Sequence, residues 1–202
     1  ACWHAKFAVD AGQPVIVRKL DVQLTGEAQN DATFAVVRQQ SPLTVGLPLH
    51  HGDYETLKRR WSDLARERGY ADAMFTENRI DVYPDQRAAD VALRFDSGKR
   101  YRFGDINFQQ DVLSDEVIRS YPTIHAGDPY DGGQLTALYA ALADSGYFRN
   151  IEIRPQVANR ETGEIPIDIV LEGAPRRQIT YGVGFSTDTG PRFRFSRANR
   201  RF

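Results

Sequence analysis

The chain has 202 residues, 41% hydrophobic, 26% charged and 11% aromatic, the composition of a folded protein and not of a disordered one. No run approaches the roughly 18 apolar residues of a membrane helix, and the single cysteine, Cys2, excludes an internal disulfide. The net charge of -1 is unevenly placed: residues 175–202 carry seven arginines against one aspartate, and the acidic remainder argues against a nucleic-acid binder, which would present a basic face.

In chain order, "FAVDAGQPV" (Phe7–Val15) is an alternating apolar strand that ends in an acid and a glycine turn. The pattern returns in "LRFDSGKRY" (Leu93–Tyr101) and in "IVLEGAPRR" (Ile169–Arg177), with Gly12, Gly98 and Gly173 at the turns. Such self-similarity predicts repeated structural units. The first unit opens with "VRKLDVQL", where Leu20, Val22 and Leu24 alternate, and the second with "RFGDINF", where Ile106 and Phe108 do. Period two with one apolar face is a half-buried strand.

Each opening strand leads to a short helix, "NDATFAVVRQQ" before Pro42 and "SDEVIRSY" before Pro122. Asn30 or Asp31 and Ser114 are the expected N-caps. A longer helix follows, with Tyr54, Leu57, Trp61, Leu64 and Ala65 on one face in the first unit and Leu135, Leu138, Tyr139 and Leu142 in the second. Asp53 and Asp131 are expected to cap these helices, and Gly69 and Gly146 to close them. Two strands end each unit: Ala73–Tyr83 and Val91–Asp96, then Asn150–Val157 and Ile165–Glu172. The order β-α-α-β-β, with antiparallel strands and helices on one sheet face, is an α+β fold.

At the C-terminal end, Ile179, Tyr181, Val183 and Phe185 alternate with Thr180, Gly182, Gly184 and Ser186, and a second alternating run begins at Arg192. Apolar residues alternating with small or polar ones suit a membrane barrel strand, but equally a fourth strand on the preceding sheet. No catalytic constellation is legible. His50-His51 with Asp53, and Cys2 with His4, lack the three or four converging ligands that zinc needs. Ser186 in "GFSTD" is not a nucleophile elbow. The loops "SPLTVGLPLHHGD" and "PTIHAGDPYDGG" lack the G-x-x-G of a KH domain.

Tandem units of this order, running into "GVGFSTDTGPR" (Gly182–Arg192) and joined by "SGKRYRFGDINF" (Ser97–Phe108), resemble the POTRA (polypeptide-transport-associated) units of outer-membrane barrel-assembly proteins. Within that superfamily the two segments are most similar to the outer-membrane subunit of the translocation and assembly module. The resemblance implies residues 1–14 as the last strand of a preceding POTRA unit, 15–98 and 99–174 as two POTRA units, and 175–202 as the truncated start of a barrel. It implies a non-enzymatic scaffold without cofactors at the periplasmic face of a Gram-negative outer membrane. Its partners would be an inner-membrane-anchored TamB-like subunit and nascent barrel proteins, with no nucleic acid. A two-partner secretion transporter is the related alternative, and a rigid spacer the plainer one.

A three-stranded sheet leaves two edges, where an extended segment of a partner can add by β-augmentation. In POTRA units the first strand of the closing hairpin is such an edge. The resemblance therefore places partner-binding positions at Met74, Thr76, Asn78, Ile80 and Val82, and at Ile151, Glu152 and Ile153. The barrel strand is expected at Ile179, Tyr181, Val183 and Phe185, which in a truncated chain would be disordered, folded back or paired with another copy.

Overall fold

The computed structural model describes residues 12–110, 113, 114, 118, 121, 124–175, 177–187 and 190–199. The expected last strand of a preceding unit, with Cys2 and His4, and most of the expected helix after Ser114 lie outside these residues. The chain divides into two compact units, Ala1–Arg100 and Tyr101–Phe202.

The first unit opens with β1 (Ile16–Thr25) and continues through helices α1 (Ala32–Gln39) and α2 (His51–Glu67) to the hairpin β2 (Met74–Tyr83) and β3 (Ala88–Asp96). The sheet order is β1-β3-β2, so the last strand made lies in the middle. β2 runs antiparallel to β3, but β1 runs parallel to it, which corrects the expectation of antiparallel pairing throughout. A parallel pair needs a long crossover, and the two helices supply it.

The apolar periods decide which faces meet. Tyr54, Leu57, Trp61 and Ala65 form the buried stripe of α2, with Leu64 partly buried beside it. They pack with Val22 of β1, Phe34 of α1 and Val91, Leu93 and Phe95 of β3. Asp31 caps α1 by accepting the Thr33 amide at 3.0 Å. Asp53 does not cap α2: the cap position is His50, and the Asp53 amide already donates to the His50 carbonyl. At the other end Gly69 takes φ +80°, and the Tyr70 amide donates to the Ala65 carbonyl at 2.8 Å. This left-handed closure folds the buried Tyr70 ring back on the core, edge-on to Phe34.

The end of the unit is tied to its beginning. Ser97 is fully buried; its hydroxyl accepts the Ala28 amide at 3.0 Å and has the Thr25 and Gly98 carbonyls as acceptors, each at 3.1 Å. Gly26 lies against this knot at φ +81°, where a Cβ would sit 2.4 Å from Ser97 Oγ and 2.7 Å from Gly98 N. Beyond it, the Arg100 amide donates to Glu27, and its guanidinium donates to the Arg68 carbonyl at the end of α2. Arg68 in turn pairs with Asp31 at 3.1 Å. Partial burial pushes the Asp31 carboxyl up, but the bonds from the Thr33 hydroxyl and amide and the Arg68 charge outweigh it, leaving its pKa below the usual carboxylate value.

The second unit repeats the plan: β4 (Arg102–Gln109), α3 (Gly132–Asp144), β5 (Phe148–Pro155) and β6 (Glu164–Gly173), with sheet order β4-β6-β5. β4 is parallel and β5 antiparallel to β6. Leu135, Leu138 and Leu142 of α3 bury against Phe103, Ile165, Ile167, Ile169 and Leu171. Asp131 caps α3 through the Gly133 amide, and Gly146 closes it at φ +68°. Two expectations fail: Tyr139 is 49% exposed, outside the leucine stripe of α3, and Phe108 is 41% exposed at the far end of β4.

β7 (Arg177–Ser186) and β8 (Gly190–Asn199) form a separate antiparallel two-stranded sheet. This excludes β7 as a fourth strand of the preceding sheet. The second alternating run is a full strand of ten residues, paired with β7 in ten rows.

Two outcomes are expected on urea denaturation. Gly26→Ala adds both a left-handed strain and an overlap, costing about 3 kcal/mol, while Ser97→Ala orphans the Ala28 amide and costs about 1–3 kcal/mol. Near neutral pH Asp31→Asn is less stable than wild type. Because the folded Asp31 pKa is depressed, that difference closes as pH falls through the carboxylate range, and a difference that persisted in acid would show that the charge is not what matters.

Candidate partner-binding edges and an exposed apolar hairpin

The outer edges of the two sheets are not equivalent. At β1 the start is covered by the turn around Gly46: the Val17 amide donates to Leu47 O, and Gly46 N donates to Val17 O. The second unit copies this at β4, where Phe103 N donates to Asp128 O and Gly127 N to Phe103 O. Gly46 and Gly127 take φ +87° and +89°, and Pro48 and Pro129 follow at the same spacing. The repeated Gly-x-Pro was the sequence signal for these covers, and it lies in the same two loops that lack a G-x-x-G.

Among the described residues β2 and β5 pair on one side only, with β3 and β6. Each is kinked by a bulge, between Phe75 and Glu77 in β2 and between Phe148 and Asn150 in β5. A bulge inserts one residue and reverses the alternation. Phe75 and Ile80 therefore both pack on the core although their parity differs. The five β2 positions do not share a face: Met74 and Thr76 precede or form the bulge, whereas Asn78 and Val82 share the parity of Ile80, on the helix side. In β5, Ile151 and Ile153 pack on the core, and Glu152 between them pairs with Arg154 on the open face.

The open face of the first sheet is a charge ladder. Arg94 of β3 reaches Asp21 of β1 at 3.4 Å and Glu77 of β2 at 3.2 Å. Arg79 continues it, between Glu77 and Asp81. Arg18 grips Asp90 with two hydrogen bonds of 2.8 and 2.6 Å, which hold the Asp90 carboxyl below its ordinary pKa. In the second sheet Asp168 does the bridging, accepting from Asn107 at 3.0 Å and Gln156 at 2.8 Å. Such charges along an edge discourage indiscriminate strand addition.

On the β7–β8 hairpin, residues directly opposite share a face. One face presents Ile179, Tyr181, Val183 and Phe185 with Phe195 opposite Tyr181 and Phe193 opposite Val183. These six side chains are 51–82% exposed. The other face presents Thr180, Gly182, Gly184 and Ser186, with Arg194 opposite Gly182 and Arg192 opposite Gly184. Ten residues span about 33 Å, and a tilt near 40° converts that to about 25 Å, the height of an outer-membrane apolar band. The hairpin fits the start of a barrel.

Among the described residues no group of three or more His, Cys, Asp or Glu could hold a metal, and no helix is long and apolar enough to cross a membrane. His51 lies 3.7 Å from Glu55 on the exposed start of α2, and Asp53 does not converge with it.

Residues 101–172 match the POTRA family model, described as surface antigen variable number repeat. The chain is similar to BamA from Haemophilus ducreyi lacking POTRA domains 1–3, with 15% identity and a TM-score of 0.60 over 88% of this chain and 33% of that one. It is also similar to POTRA domains 3–5 of Haemophilus influenzae BamA, with 18% identity and a TM-score of 0.53 over 78% of this chain and 61% of that one. At these identities the likeness is one of fold, and the chain spans less than two thirds of either relative. Residues 101–172 thus match the POTRA family model and have its fold, and they are preceded by a second unit of the same plan.

Proposed function

We propose that the chain is the periplasmic POTRA region of an outer-membrane protein assembly or translocation factor, a non-enzymatic scaffold that binds its partners non-covalently. The observation that carries this reading is the succession of two such units and a hairpin with one apolar face and one face of glycine, serine and arginine. The first face suits lipid and the second a barrel lumen. Within the superfamily, "GVGFSTDTGPR" and "SGKRYRFGDINF" support the finer reading, TamA, the outer-membrane subunit of the translocation and assembly module. Its partners would then be a TamB-like subunit anchored in the inner membrane and nascent barrel proteins.

The edges of β2 and β5 are the proposed contact lines, at Met74, Thr76, Asn78, Ile80 and Val82 and at Ile151, Glu152 and Ile153. Backbone pairing tolerates many client sequences, which a general assembly factor requires. The Arg79 clasp between Glu77 and Asp81 guards β2. On β5, Pro155 removes only the last donor of the strand.

Two measurements test these proposals. Photo-crosslinking probes at Thr76 and Glu152, in cells producing the barrel-bearing protein, are expected to capture the TamB-like subunit or nascent barrels; silence at both positions in an active protein would leave the units as spacers. Val183→Arg places a charge on the lipid face. It is expected to destabilise the barrel in lipid vesicles by about 2–4 kcal/mol while leaving POTRA unfolding unchanged, and no loss would mean that this face does not meet lipid.

A further inference from the structure

We propose that the apolar face of the β7–β8 hairpin ends in a headgroup site for an anionic phospholipid, with Arg197 as the side chain that binds the phosphate. The inference rests on the lipid-facing reading of that face and adds to it the charge of the lipid and the place where that charge sits.

The face is not apolar throughout. Arg197 lies directly opposite Ile179 and so shares the face of Tyr181, Val183, Phe185, Phe193 and Phe195. In the four rows from Ile179 to Phe185 it is the one charged residue, and it stands in the row farthest from the turn. Arg197 is exposed, and no hydrogen bond or ion pair holds it among the described residues. The described residues of the hairpin carry four arginines and no aspartate or glutamate, so they supply no counter-charge.

The neighbouring rows say what kind of anion suits this cation. About 7 Å closer to the turn come Tyr181 and Phe195, with ring centroids 5.4 Å apart. Tyrosine favours the membrane–water interface. Val183 with Phe193, and then Phe185, follow toward the turn. The sequence along the face is therefore cation, interfacial ring and apolar side chains, which complements a phospholipid read from its phosphate to its acyl chains. The arginine stem can lie along Ile179 while the guanidinium stays in the headgroup layer. There its planar fork can give a phosphate two parallel hydrogen bonds. A zwitterionic lipid carries its own ammonium beside the phosphate, whereas an anionic lipid leaves the phosphate charge unpaired, and this favours the anionic lipid. Arg192 and Arg194 belong to the opposite face, beside Gly184 and Gly182, and so serve as controls of equal charge.

The test is flotation of the 202-residue chain with two kinds of vesicle, one of phosphatidylcholine alone and one of phosphatidylcholine and phosphatidylglycerol in equal parts, at fixed ionic strength. Wild type is expected to bind the mixed vesicles more tightly. Arg197→Gln is expected to lose about fivefold of that preference, and Arg192→Gln to keep most of it. Equal losses from the two substitutions would reduce the preference to net charge and overturn the inference, as would an Arg197→Gln variant that binds like wild type. Equal binding of wild type to both vesicles would overturn it too, while leaving the lipid-facing reading in place. Binding to neither vesicle would remove that reading as well.

Discussion

In each unit the middle strand of the sheet is the last one made. β3 and β6 must enter between a strand that starts the unit and the strand just before them, and this constraint governs most of the architecture. Insertion beside the hairpin partner is local and antiparallel. Insertion beside the opening strand is parallel, so the chain must first cross the sheet through helices. The middle strand is then bonded on both sides and buried on its helix face, with Val91, Leu93 and Phe95 in one unit and Ile165, Ile167, Ile169 and Leu171 in the other. The two outer strands are left with one free side each.

Those free sides are treated differently. A glycine turn covers the start of β1 and of β4, while among the described residues β2 and β5 have no such cover; all four outer strands carry a register shift. Arg94 and Asp168 tie the three strands together on the open face by different chemistry, ionic in the first unit and mainly amide-carboxylate in the second. The same fold constraint therefore produces pairing capacity, and the local sequence limits what can use it. That combination suits a scaffold that meets extended partners without aggregating with its own kind.

Much of this is legible from residue periods. The α2 stripe of Tyr54, Leu57, Trp61 and Ala65, the Asp31 and Asp131 caps, and the closures at Gly69 and Gly146 come from local chemistry, and the structure has them. Periodicity does not reveal pairing partners. Alternation is the same in parallel and antiparallel strands, so it is silent on the direction of β1 against β3. Nor does alternation foresee bulges. The even-numbered positions of β2 look like one face, and the extra residue at Thr76 divides them. His50 takes the cap of α2 because the helix begins two residues before Asp53. The apolar face of β7 and the second alternating run from Arg192 are both legible, but their pairing with each other, apart from the preceding sheet, is not.

The proposed partner contacts depend most on free outer edges at β2 and β5. Amide hydrogen exchange of the 202-residue chain measures this directly, because amides that no neighbour bonds exchange by local opening alone. Free edges predict the slowest exchange in β3 and β6, and alternate fast amides along β2 and β5 where every second one faces outward. Uniform protection along both outer strands, matching β3 and β6, would contradict them, since the edges would then already be covered.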